Sequence, residues 1–308
     1  MTPRSERARQ LDGLLVVDKP AGMTSHDVVD RVRRLSGQRR VGHAGTLDPL
    51  ATGVLVLGLG RATRVLEYLI GHDKRYLATI RLGITTDTYD AEGRVVSQHE
   101  GSWPLREDVE RVLARFRGEI EQRPPPFSAI KQGGERLYKK ARRGEAVEAP
   151  PRRVVIRDLR LLEYDPPFLR VDVTCSKGTY IRSLAHDVGQ ALGTGAHLAE
   201  LRRLASGPFT VEQAHTLDEL EQAAREGRLA QLLLPPDAGL VDLPAISVTL
   251  EEARRLAHGQ RIASSAPADV KPPARAMYDG RLVAVVEYDA ERGEWQPRKV
   301  FVSPRELD

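Results

Sequence analysis

An α+β fold is predicted, and three observations carry it. Apolar residues recur with period two in some stretches and with the helical period in others. The two kinds follow one another without the regular strand–helix–strand beat of a doubly wound sheet. The 308-residue chain is 41% apolar, enough for a substantial core in one large domain or in a large and a small one. No internal repeat or low-complexity tract stands out.

Residues 14–17 read as a short apolar strand. Thr24-Ser25 caps an amphipathic helix over 27–35 that ends near Gly37. Residues 54–59 are a buried strand candidate and 63–70 a short helix. Residues 76–82 form a strand with Tyr76, Ala78, Ile80 and Leu82 on one face. Residues 105–117 are helical. Arg123-Pro124-Pro125-Pro126 then breaks regular structure, and the polar, basic stretch 124–151 reads as an exposed excursion. Strands at 153–164 and 169–175 precede an amphipathic helix at 180–189. Pro235-Pro236-Asp237-Ala238-Gly239 reads as a linker. Beyond it, a strand at 246–248, a helix at 251–258 and strands at 282–288 and 298–302 make a small β-rich domain.

Forty-seven Lys and Arg against 43 Asp and Glu leave a net charge of only +4, so the placement of charge says more than its sum. Arg31, Arg33, Arg34, Arg39 and Arg40 form one basic group, Lys139, Lys140, Arg142 and Arg143 a second, and Arg152, Arg153 and Arg157 a third. Such groups suit a phosphate backbone; each alone also suits a solvated helix face. Cys175 is the sole cysteine, which excludes an intrachain disulfide framework and a multi-cysteine zinc site. Its alternating surroundings make it a small buried hydrophobe. The first ten residues are basic and polar, and no apolar run reaches membrane-spanning length, so a soluble cytoplasmic protein without a membrane partner is expected.

Residues 58–63, Gly-Leu-Gly-Arg-Ala-Thr, lack the third glycine of a dinucleotide fingerprint and the Gly-Lys-Ser/Thr of a P-loop. His26-Asp27, His72-Asp73 and His186-Asp187 suggest a metal phosphohydrolase only at the level of two-residue matches. Asp87-Thr88-Tyr89-Asp90 is short of carboxylates for a calcium loop. No metal or organic cofactor is implied.

The richest stretch is Gly42-His43-Ala44-Gly45-Thr46-Leu47-Asp48-Pro49-Leu50-Ala51-Thr52-Gly53. Its glycines reach backbone conformations closed to other residues, and Pro49 drives Asp48 into extended or turn geometry. One carboxylate is thus presented by constrained backbone. A plain Asp-Pro turn or an N-cap would look the same locally.

Residues 42–55 resemble the catalytic-aspartate motif of the TruB family of tRNA pseudouridine synthases. Leu15-Val16-Val17-Asp18-Lys19-Pro20-Ala21-Gly22-Met23-Thr24-Ser25 is similar to that family's first motif. Asp73-Lys74-Arg75-Tyr76, Thr86 to Asp90, Ser128-Ala129-Ile130-Lys131 and Ser176 to Leu184 follow in order. The resemblance spans roughly residues 12–210 and weakens after that. It implies a mixed, mainly antiparallel central sheet flanked by helices over residues 1–238, with an RNA-gripping insertion at 124–151 and a PUA-like RNA-binding domain at 242–308. It further implies conversion of uridine to pseudouridine at position 55 in the T loop of tRNA, by a monomer acting on the T arm without a cofactor. Asp48 is then the nucleophile and Arg182 its cationic partner; Tyr76 stacks on the flipped base, Tyr180 walls the pocket, and His43 fills the space that the base vacates. Lys19, Arg39, Arg40, Lys131, Lys139, Lys140, Arg142, Arg143, Arg202 and Arg203 fall to RNA contact. Two rival readings use the same residues: a non-catalytic tRNA-binding protein, and a synthase directed at ribosomal RNA.

Overall fold

The computed structural model describes residues 10–127, 131–132, 135–136, 143, 149–263 and 270–307. Its strands run β1 (Gly13–Lys19), β2 (Val41–His43), β3 (Thr52–Leu59), β4 (Lys74–Leu82), β5 (Ile84–Thr86), β6 (Val95–Gln98), β7 (Gly118–Gln122), β8 (Lys131–Gln132), β9 (Glu135–Arg136), β10 (Arg152–Asp165), β11 (Phe168–Cys175), β12 (Ala196–Ser206) and β13 (Phe209–Thr210). The main sheet has the order β1-β3-β12-β4-β11-β10-β7, with β2 added to β3 and β13 to β12. Its neighbours pair antiparallel except at β3–β12, where Thr52 and Gly53 run parallel to Arg202 and Arg203. The expected mixed, mainly antiparallel sheet is what forms.

Helices α1 (Ser25–Ser36), α3 (Arg106–Arg115), α4 (Ile181–Ala191) and α5 (Leu217–Arg225) pack on one face, and α2 (Leu66–Leu69) lies on the other. Burial explains the two sequence patterns. β1 and β3 are covered on both faces and read as continuous apolar runs, whereas β4 alternates because only the Tyr76, Ala78, Ile80 and Leu82 face meets the core. Thr24 and Asp27 form a reciprocal capping box, and Gly37 ends α1 in a left-handed conformation, as the sequence predicts.

Three expectations change. Residues 60–70 form a 3₁₀ turn (Gly60–Arg64) followed by the single-turn α2 rather than one helix. The 11-residue β12 is a central strand where none was expected. The stretch 235–239 is no free tether: it is a 3₁₀ turn whose Gly239, with the following Leu240, is buried against Val65, Leu14 and Leu69.

Past that turn, β14 (Ala245–Ser247), α6 (Leu250–Ala257), β15 (Ile262–Ala263), β16 (Ala274–Tyr278), β17 (Arg281–Asp289) and β18 (Glu294–Val300) build a sheet of order β14-β16-β17-β18-β15 around the buried Trp295. It docks on the main sheet through Leu282, Val285 and Phe301, which share one cluster with Val54, Val56, Val65 and Leu69. At about 1.5–3 kcal/mol for each fully buried apolar side chain, this contact resists separation. Arg61 meets Glu306 at 2.5 Å and Lys299 meets Glu67 at 3.1 Å along its edge. The hydrogen bonds from Arg61 hold the Glu306 carboxyl down at about 2. Among the described residues, no helix is long and apolar enough to cross a membrane.

Candidate active site

The loop between β2 and β3 carries Asp48 to the end of the parallel β3–β12 junction. Gly53, the second residue of β3, has φ +99°, and a Cβ there would lie 2.2 Å from the Arg203 carbonyl oxygen, so only glycine lets these strands meet. Two buried cations hold the loop from beneath. Lys19 Nζ donates to the carbonyls of Pro20 (2.8 Å), Met23 (2.6 Å) and Pro49 (3.3 Å). Arg203 donates through Nε to Val54 O (2.6 Å) and through its terminal nitrogens to Gly45 O (3.3 Å) and Thr46 O (3.5 Å). Ser25 Oγ accepts the Leu47 N–H at 2.8 Å and lies 3.1 Å from the Leu47 carbonyl, to which it donates. Burial lowers the Lys19 amine to about 8, against the opposing pull of Asp48, so it keeps its charge at neutral pH.

Arg182, the second residue of α4, is buried and surrounded by acceptors. Its Nε lies 2.9 Å from Asp48 Oδ2, and Nη2 donates to Asp48 Oδ1 at 3.3 Å. Nη1 meets Asp90 Oδ2 at 3.2 Å and donates to Thr88 O at 3.2 Å, while Nη2 also reaches Phe127 O at 3.1 Å. Between Thr88 and Asp90, Tyr89 sits at φ +64°, a left-handed conformation costly for an aromatic residue. Its ring stacks on His186, one turn beyond Arg182 on α4, at 3.9 Å between centroids and 12° between planes. The strained turn is thereby pinned to the helix at two successive turns. Burial holds the His186 imidazole below its usual pKa, so it stacks in the neutral form at pH 7.

Asp48 opens into a cavity of about 560 Å³, within the ~300–1,000 Å³ range of ligand sites. Tyr76 and Lys74 from β4 form its floor, Tyr180 and Phe127 supply aromatic walls, and Leu47, Ile181 and Leu201 make it apolar. Burial raises the Tyr76 hydroxyl above its ordinary pKa, keeping it protonated at neutral pH. Burial lowers the Lys74 amine to about 8, and that amine donates to Ile70 O (2.8 Å) and His72 O (2.5 Å). An anionic oxygen on a fixed guanidinium, facing a partly aromatic cavity, suits nucleophilic or electrostatic chemistry on a flat ring.

The structure thus brings Asp48, Tyr76, Tyr180 and Arg182 together. His43, at the end of β2, is half-buried with Nδ1 shielded, lies outside the cavity lining, and is held below its usual pKa by burial. Arg39 and Arg40 are exposed. Lys19 and Arg203 are corrected: both are essentially inaccessible and spend their donors on loop carbonyls, so they build the Asp48 loop instead of meeting phosphate. Arg202 is partly exposed, but its guanidinium is paired with Asp18 at 3.0 and 2.7 Å. Arg143 is exposed; the Lys131 side chain and Lys139, Lys140 and Arg142 lie outside the described residues. Cys175 is buried as expected, its thiol pushed up to about 12 by burial. The three His-Asp pairs do not converge, and among the described residues no group of three or more His, Cys, Asp or Glu could hold a metal ion. Sequence reasoning missed Asp90 and Lys74 as site residues, although both fall in matched motifs. It had no signal for Tyr89 with His186, because a stack across 97 positions leaves no local pattern.

Residues 33–181 match the N-terminal domain of the TruB family pseudouridylate synthases, and residues 182–241 match the C-terminal domain of tRNA pseudouridylate synthase B. A tRNA pseudouridine synthase B of Symbiobacterium thermophilum is 51% identical over 259 residues, 83% of this chain and 85% of that protein. One from Pseudomonas paraeruginosa is 48% identical over 300 residues, 96% of this chain and 97% of its own. Among solved structures, an archaeal box H/ACA sRNP Nop10–Cbf5 complex superposes with a TM-score of 0.75 at 27% identity, covering 99% of this chain and 91% of that one. The chain belongs to the TruB family of pseudouridine synthases, a family of isomerases.

Proposed function

We propose that this chain converts uridine to pseudouridine at position 55 in the T loop of tRNA, with Asp48 as the nucleophile. The observation that carries the reading is one carboxylate, paired with Arg182, at the mouth of a cavity with aromatic walls. Relatives at 44–51% identity bear the name tRNA pseudouridine synthase B. The structural neighbours assembled with Nop10 or Gar1 are only 27–28% identical, which favours tRNA over a ribonucleoprotein-guided substrate.

The reaction breaks the bond from C1′ to N1, turns the uracil and joins C1′ to C5. C5 loses its proton and N1 gains one, so substrate and product are isomers and no electron carrier is consumed. Asp48 supplies the nucleophilic oxygen, and Arg182 pairs with it and holds it at the cavity. Extruding the T-loop uridine costs a few kcal/mol, which stacking on Tyr76 and Tyr180 offsets while His43 fills the gap. With its hydroxyl protonated, Tyr76 acts as wall and donor rather than as an ionised base. Arg39, Arg40 and Arg143 meet phosphate together with Lys131, Lys139, Lys140 and Arg142 of the insertion, and the C-terminal sheet holds RNA in the manner of a PUA domain.

The test is tritium release from tRNA labelled at uridine C5, beside the same transcript with cytidine at position 55. Release from the first transcript alone is expected, and its loss in Asp48→Asn with tRNA binding retained. Equal release from the cytidine-55 transcript overturns the position, and near-parental release by Asp48→Asn overturns the nucleophile.

A further inference from the structure

Gln122 is the last residue of β7, and it is 1% exposed. Its side-chain amide closes a two-bond ring on the backbone of Tyr180: Nε2 donates to the Tyr180 carbonyl at 3.0 Å, and Oε1 accepts the Tyr180 N–H at 2.8 Å. Tyr180 stands immediately before α4, and its own side chain makes no capping bond to that helix. The chain after Gln122 continues along the same helix start. Ser183 Oγ donates to Arg123 O at 2.7 Å, and Arg182 Nη2 donates to Phe127 O at 3.1 Å. Residues 180, 182 and 183 are thus tied to residues 122, 123 and 127.

Helix starts have unsatisfied N–H groups and fray unless something holds them. Here the first turn carries the guanidinium that must meet Asp48, and a displacement of ~1 Å at such a group can cost about 10²-fold in rate. A buried amide with both hydrogen bonds made is also costly to disturb. We propose that Gln122 is a positioning residue for the isomerisation: through its clamp on Tyr180 it fixes the first turn of α4 and so aims Arg182 at Asp48. This rests on the reading of Arg182 as the partner of a catalytic Asp48.

The experiment is a double-mutant cycle on the full chain, read by single-turnover pseudouridine formation and by tRNA affinity. Gln122→Met removes both hydrogen bonds at similar volume; Gln122→Glu keeps the acceptor for the Tyr180 N–H and loses the donor. Each is made alone and with Arg182→Lys. Leu159→Ala, which hollows the core under β10 away from the cavity, is the control for stability loss. Expected is a fall in rate of about 10–100-fold for Gln122→Met with affinity within about twofold, a smaller fall for Gln122→Glu, and less than about threefold further loss when Arg182 is already Lys. Equal loss in both backgrounds overturns the proposal, as does a loss confined to affinity, or a loss that Leu159→Ala reproduces at the same drop in melting midpoint. If Arg182→Lys alone keeps the parental rate, the reading of the site fails first, and the clamp has nothing to aim.

Discussion

Asp48 lies 2.9 Å from one nitrogen of Arg182 and Asp90 lies 3.2 Å from another, yet the Asp48 side chain is 35% exposed and that of Asp90 only 5%. The Asp48 loop is held by its backbone carbonyls on Lys19 and Arg203, which leaves its carboxylate facing the cavity. The Asp90 turn is held through the carboxylate itself: Oδ1 accepts from Thr88 Oγ1 at 2.5 Å and from the Glu92 N–H at 3.1 Å. Two acids on one guanidinium therefore have different work. One carboxylate is spent on structure, and the other is left facing the cavity because its loop is built by other groups.

The sharpest way to break that comparison is to neutralise each acid. Asp48→Asn should lower single-turnover formation of pseudouridine by at least about 10⁴-fold, the scale of losing a nucleophile, with tRNA affinity nearly unchanged. Asp90→Asn should lower the rate by only about 10–100-fold, as misplacement does, and should also lower stability. The stability loss should be about 1–3 kcal/mol, below the ~3–5 of an isolated buried pair, because Asp48 still faces Arg182. Rates that fall equally, with melting midpoints unchanged for both variants, would erase the distinction.

The support of the Asp90 turn is probed at His186. His186→Ala removes the stack on Tyr89 and should cost about 0.5–1.5 kcal/mol of positioning, a factor of about 2–12 in rate, which His186→Phe should restore. Loss of activity in His186→Phe as large as in His186→Ala would mean that the imidazole, and not the stacked ring, matters.

A third acid, on the helix that carries Arg182, shows what a half-buried carboxylate becomes on burial alone. Asp187 is pushed up by desolvation to about 6 from 3.8. Between those values the folded chain keeps a proton that the unfolded chain has released, so stability falls as pH rises through that window and stays lower above it. Asp187→Asn should flatten the melting midpoint between about pH 4 and 6 and raise it by about 2–4 °C at pH 7. A midpoint that still falls across that window in the variant would assign the slope to another group.

The elements legible in the sequence are those whose cause is local. The capping box of Thr24 and Asp27, the alternation of β4 and the apolar runs of β1 and β3 are all written within a few residues. β12 was not: its Leu198 and Leu201 lack period two, and pairing with β4 on one side and β3 on the other, with two register shifts, makes it a strand. Neighbouring strands supplied hydrogen bonds that outweigh local preference.

By itself the sequence determined the α+β class and the turn that presents Asp48, because glycine opens backbone conformations closed to other residues and proline restricts its neighbour where each stands. Motif resemblance added the pairing of Asp48 with Arg182, 134 positions apart. Only the tertiary structure decided which charges face solvent. Lys19 and Arg203 have the side chains of phosphate contacts, but backbone carbonyls, local ones and others from distant segments, solvate them in the interior. A charged side chain goes where its hydrogen bonds can be met, and that location depends on residues far away in the chain.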